Sequence, residues 1–156
     1  MRNVLTAILL AAHGMALTRA AMEDHRWKRV RRFHWWIAGV AGVTAAGMRQ
    51  NVSLGRLWEL ALFGMMQYCL FVRAYGKADC HAFFCCGIGL AVLGGGMEEH
   101  LLMALTAFGI LAGVQVTRRN VDGRGNLRKP VAFVPYVALA YFVCLSLLAL
   151  RNLGIQ

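Results

Sequence analysis

Two aspartates are the residues of this chain best suited to chemistry. Asp24 follows the apolar run Val4–Ala21, and Asp79 precedes the apolar run Cys80–Met97. An acid at the edge of an apolar helix is costly to hold there unless it has a task. Two carboxylates brought together in a partly dry site cannot easily both ionise, so one keeps its proton and the pair contains an acid and a base at once. Such a pair can activate water and protonate a leaving amine without a metal or a covalent intermediate. Asp79 has a plainer reading too: Asp is a favoured N-cap, and Asp79 stands where the helix over Cys80–Met97 would begin. On these residues alone, capping and catalysis stand level.

The other reactive side chains point to less. Cys80, Cys85 and Cys86 lie inside an apolar run without a Cys-x-x-Cys pair, and free cysteine packs as a small hydrophobe. Glu98-Glu99-His100 reads as a solvated turn, because neither acid has a histidine three or four residues away. Gly94-Gly95-Gly96 is followed by no Lys-Ser/Thr and preceded by no strand, so it is not a phosphate loop. His13 reads as a hydrogen-bonding residue between helices, and no role is assigned to it. No metal and no cofactor are expected.

The elements that must position Asp24 and Asp79 follow from composition. The chain has 156 residues, 59% hydrophobic and 15% charged, well below the quarter or so of charged residues usual in soluble domains. Its mean hydropathy is +0.54. Apolar residues fall in runs of about 16 to 20, close to the roughly 20 needed to cross a bilayer, where backbone must be helical. Six spans are predicted: Val4–Ala21, Phe33–Met48, Leu57–Val72, Cys80–Met97, Leu101–Thr117 and Val131–Leu150. The expected fold is an all-α integral membrane protein, one domain over residues 1–156. The first run continues through Leu17, longer than the apolar region of a secretory signal, and is expected to be a span.

Charge gives the spans a direction. Arg19 stands at the end of the first span and Arg26, Lys28, Arg29, Arg31 and Arg32 follow it; Arg73 and Lys77 follow the third, and Arg118, Arg119, Arg124, Arg128 and Lys129 the fifth. These are 13 of the 17 Lys and Arg residues. Basic loops mark the cytoplasmic side, which places both termini outside and Asp24 and Asp79 together at the inner edge. The net charge of +10 therefore reads as a topology signal that also meets anionic lipid headgroups. No nucleic-acid motif accompanies it. Pro130 suits a helix start, and Pro135 implies a kink or a second start.

With those positions fixed, the chain resembles the type IV prepilin peptidases and their preflagellin relatives, the Gly-x-Gly-Asp intramembrane aspartyl proteases. In that family one Asp follows the first core helix and a Gly-x-Gly-Asp motif precedes the fourth. Here these correspond to Asp24 and to Gly76-Lys77-Ala78-Asp79. The run Lys129-Pro130-Val131-Ala132-Phe133-Val134-Pro135-Tyr136 is similar to the opening of the family's last core helix. Three positions depart: Ala78 stands for the second Gly, Arg31 for a Pro, and His81 where many members have Lys. The resemblance covers nearly the whole chain.

The resemblance implies a multi-pass protein of the cytoplasmic membrane in which Asp24 and Asp79 are catalytic and Gly76, Lys77 and Ala78 form the supporting loop. Its substrate would be a pilin-like precursor, cleaved after a short basic leader. The Cys-x-x-Cys insert of the larger members is missing, which implies neither methyl transfer nor zinc. Two other readings stand beside it. One is a catalytically inactive relative that binds or assembles pilin or secretion components. The other is a small transporter using Asp79 as a proton site, with Thr106, Gln115 and Ser146 deeper in the bundle. Partners beyond membrane lipids and the precursor, and the oligomeric state, are not encoded in any motif.

Overall fold

A computed structural model describes residues 2–49, 52–118, 131–152 and 154. The described residues are mostly helical, with no strand among them. The order is α1 (Arg2–Trp27), α2 (Arg32–Met48), α3 (Leu54–Met66), a π-helical turn (Gln67–Phe71), α4 (Val72–Tyr75), α5 (Lys77–Val92), α6 (Met97–Thr117) and α7 (Val134–Asn152). Because α3, the π turn and α4 are continuous, the described residues form six rods. Three of the helices, α1, α6 and α7, are long and apolar enough to cross a membrane. The others fall short by that measure: α2 has 17 residues and α5 has 16, and the third rod is broken by its π turn. The expectation of six spans is met at this level by three.

The helix ends also differ from the apolar runs. Asp24 lies inside the last turn of α1 rather than beyond it. Glu98, Glu99 and His100, expected as a turn, form the first turn of α6, where acids complement the helix dipole. Pro135 is the second residue of α7, where its missing N–H is no loss, so no kink follows. Residues 119–130, with the basic loop residues Arg119, Arg124, Arg128 and Lys129, the nearby Asp122 and the predicted start at Pro130, lie outside the described residues.

Helix α5 is the axis of the fold and touches each of the other helices. Twelve of its 16 residues are buried, which is why it is apolar around its whole circumference. Neighbouring helices reach it through small residues. A methyl added at Gly42 would meet Ile88 and His13, and one added at Gly89 would meet the Tyr141 hydroxyl and His13 Nε2. The His13 ring therefore fills a notch shared by α1, α2, α5 and α7. Its Nδ1–H donates to the Ala38 carbonyl at 2.7 Å, the bond between helices that its sequence context predicts. Cys80, Cys85, Cys86 and Cys144 are buried and unbridged.

The end of the bundle away from Asp24 is tied by polar contacts. Glu99 accepts from the Gly96 N–H at 2.7 Å and pairs with Arg151 at 2.7 Å. Glu59 of α3 accepts from the Met97 N–H at 2.9 Å. Arg49, just beyond α2, donates to the Val92 carbonyl at 3.0 Å, and Asn152 to the Leu93 carbonyl at 3.3 Å. Four rods are thereby fastened to the Leu93–Met97 turn. Outward faces carry large apolar side chains, among them Ile8, Met15, Val40, Leu62 and Leu105, an exposed apolar surface larger than soluble monomers tolerate.

Candidate active site

The two predicted acids come from opposite directions to the same end of the bundle. Asp24 stands on the last turn of α1 and is 8% exposed; Asp79 stands on the first turn of α5 and is 9% exposed. They are close enough that the charge of one raises the pKa of the other. Both lie outside the apolar runs Val4–Ala21 and Cys80–Met97.

Each acid has a different setting. The Asp24 Oδ2 accepts the Val134 N–H at 3.1 Å, and the Phe133 N–H also bonds this carboxylate. These are two of the four N–H groups that a helix start leaves without an intrahelical partner. Asp24 thus caps α7 from another helix, with its charge at the positive end of the α7 dipole. Burial raises the Asp24 pKa above its ordinary value. The Val134 N–H, the Lys28 charge, the Phe133 N–H and the His25 charge pull in the opposite direction. All four favour the carboxylate.

Asp79 has no such support: among the described residues, no hydrogen-bond donor reaches its carboxyl. Burial first, and the neighbouring Asp24 charge second, push its pKa from 3.8 up to about 7. As the third residue of α5 it also feels the dipole of its own helix, which favours charge, and burial outweighs that. The plain capping role is therefore not what holds Asp79. The residue in the N-cap position is Gly76.

Gly76 has φ 100° and ψ 166°, a region open essentially to glycine alone. It ends α4 and starts α5 at an angle, so it sets where Asp79 lies. A methyl placed on Gly76 would stand 3.7 Å from Asp79 Oδ2, so the carboxyl folds back over this glycine. Ala78 is the second residue of α5 and has ordinary helical geometry, so the departure from Gly-x-Gly-Asp falls where alanine is the better residue. Lys77 is exposed and the structure does not bring it to the acids. His81 is exposed and turned away: its Nδ1–H donates to the Lys77 carbonyl at 2.6 Å, and its ring stacks on Trp35 and meets Tyr68 edge-on. Arg31 is likewise engaged elsewhere, since its N–H and guanidinium meet Glu23, which also holds His34 at 3.1 Å.

The sequence reading missed the dry wall beside Asp79. The rings of Tyr75, Phe83, Phe108 and Phe133 all contact one another, with centroids between 5.1 and 6.0 Å apart. They come from α4, α5, α6 and the residue before α7. Phe83, four residues after Asp79 and so on the same helix face, was the available signal. The Tyr75 hydroxyl donates to Gln67 Oε1 in the π turn, and the Cys80 thiol donates to the Gln67 carbonyl at 3.4 Å. Among the described residues, no three His, Cys, Asp or Glu side chains converge as a metal site would require.

The arrangement places one carboxyl held by backbone N–H groups and one whose pKa is raised to about 7 at the same end of the bundle. Such a pair of acids can in principle supply a general base and a general acid. No family model matches this chain, and neither does any curated protein or solved structure.

Proposed function

We propose that the chain is an aspartic endopeptidase of the cytoplasmic membrane, with its six rods crossing the bilayer and both termini outside. Asp24 and Asp79 activate water between them, and the substrate is a pilin-like precursor cleaved at the inner membrane face. One observation supports this reading most: two acids 55 positions apart in the chain meet at one bundle end, in settings that split one proton unevenly between them. In this scheme Asp24 takes the proton of the attacking water and Asp79 gives its proton to the leaving amine. The aromatic rings beside Asp79 keep that acid neutral until it is used. Gly76 fixes the direction from which Asp79 approaches.

A second reading is favoured by one contact. The Asp24 bond to the Val134 N–H is a complete structural task by itself, as expected of an inactive relative that binds or assembles pilin or secretion components. Co-expression with a tagged pilin-like precursor separates the two. An active protease processes the precursor, and both Asp24→Asn and Asp79→Asn abolish processing. Processing that survives either substitution refutes the pair. If the native chain captures the precursor without cleaving it, the assembly reading stands.

A further inference from the structure

The outer side of α1 carries a feature that the acid pair does not use. Thr18, Ala21, Met22, His25 and Arg26 of α1, with Pro135 of α7, line an open groove of about 430 Å³. The α1 residues recur every three or four positions and so share one helix face. The groove lies between two helices that are long and apolar enough to cross a membrane, next to exposed Met15 and Met22.

Its chemistry is graded along its length. Thr18, Ala21, Met22 and Pro135 make an apolar floor. His25 and Arg26 close the end nearest the exposed cations Lys28, Arg29 and Arg32. Among the described residues, the acids nearest this end are already engaged. Glu23 is held by Arg31 and His34, and Asp24 accepts the Val134 N–H. Among the described residues, Arg26 has no ion pair and no hydrogen bond. An apolar trough that ends in an uncompensated guanidinium matches an acyl chain joined to a phosphate.

We infer that the groove between α1 and α7 is a binding site for one anionic phospholipid, its acyl chain along Thr18, Met22 and Pro135 and its phosphate on Arg26. This inference rests on the membrane reading above but not on proteolysis. Pro135 of the groove follows Val134, whose N–H Asp24 accepts, so the lipid would sit beside the α1–α7 contact that holds this acid.

The test is native mass spectrometry of the full chain in detergent, with phosphatidylglycerol or phosphatidylcholine of identical acyl chains. One phosphatidylglycerol is expected to be retained in preference to phosphatidylcholine. Arg26→Ala should weaken retention about fivefold. Ala21→Trp, which fills the trough and leaves the charge, should weaken it as well. Arg29→Ala, an exposed cation outside the groove, should leave it near the native value. Equal retention of both lipids overturns the proposal. So does an equal loss in Arg29→Ala, which would mean diffuse attraction, or displacement of the lipid by inorganic phosphate. If Ala21→Trp instead dissociates a dimer or blocks precursor capture while lipid retention is unchanged, the groove belongs to a second copy or to the substrate, and the proposal also falls. A chain that stays out of the membrane fraction overturns the membrane reading and the proposal together. A chain that partitions into membranes but fails the lipid test overturns the proposal alone.

Discussion

Asp79→Asn should stabilise the protein, and only at high pH. Asp79 titrates at 3.8 in an ordinary setting and at about 7 in the fold. The folded state therefore binds this proton more tightly than the unfolded chain does. Below pH 3.8 both states are protonated and Asp79 has no effect on the balance. Between 3.8 and 7 stability falls as pH rises, because folding must retain a proton that the unfolded chain releases. Above 7 the loss is complete. At about 1.36 kcal/mol per pH unit the loss reaches about 4 kcal/mol, a ceiling, since an ionised Asp79 would draw in water. Asparagine never ionises and escapes this penalty. The difference between Asp79→Asn and the native chain should therefore be small and flat near pH 4, then grow in favour of the variant up to pH 8. At roughly 2–4 °C per kcal/mol for a chain of this size, the separation in Tm at pH 8 is about 10 °C. Thermal unfolding in detergent at half-unit pH intervals measures it. A difference that is constant from pH 4 to 8.5, or a native chain that gains on the variant as pH rises, refutes the buried-acid account. In an Asp24→Asn background the midpoint of the same curve should move below 7, because the Asp24 charge contributes to the rise.

Three further outcomes are expected. Gly76→Ala forces a side chain into a region nearly closed to it and should cost roughly 1–3 kcal/mol, read by denaturant unfolding, together with loss of precursor processing. Ala78→Gly restores the family pattern yet should lower stability by up to about 1 kcal/mol and leave processing no faster, as initial rates would show. Asp24→Ala removes the cap on α7 and should cost about 1 kcal/mol at pH 6. A stability change of the opposite sign there would mean that Asp24 does not cap α7.

How much of this was legible in the sequence depended on the kind of contact. Asp24 and Asp79 could be placed at one end of the bundle because helix direction alternates and charge marks the ends. The Gly76 break was legible because Gly follows Tyr75 at the junction of two apolar runs. Helix limits were less legible, because hydropathy reports contact with lipid whereas helices end where backbone hydrogen bonds end. Helix α1 therefore continues through Glu23 to Trp27, and α6 begins at Met97, before its acids. The Glu98-Glu99 pair after three glycines was itself a helix-start signal. The contact of Asp24 with the α7 start spans 110 residues, and the nest of Tyr75, Phe83, Phe108 and Phe133 joins four segments. No local pattern encodes either one. The third rod's π turn left no mark in composition, since Gln67 declares itself only through the Tyr75 hydroxyl and the Cys80 thiol that it accepts.

The polar fastenings at the Leu93–Met97 turn have a mechanical consequence. Glu59, Glu99, Arg49, Arg151 and Asn152 converge on this turn from four rods, whereas at the other end the Asp24 bond to the Val134 N–H ties α1 to α7. A helix of the length of α6 is about 30 Å long. Tilting it by about 10° around the fastened end moves its free end by about 5 Å, roughly the width of an extended chain. A rod that tilts about the turn moves most beside the two acids, and the Asp24 bond to the Val134 N–H is the contact that such a tilt of α7 would strain. Fastening at the turn thus puts the largest displacement at the acid end, where Asp24 holds α1 against α7.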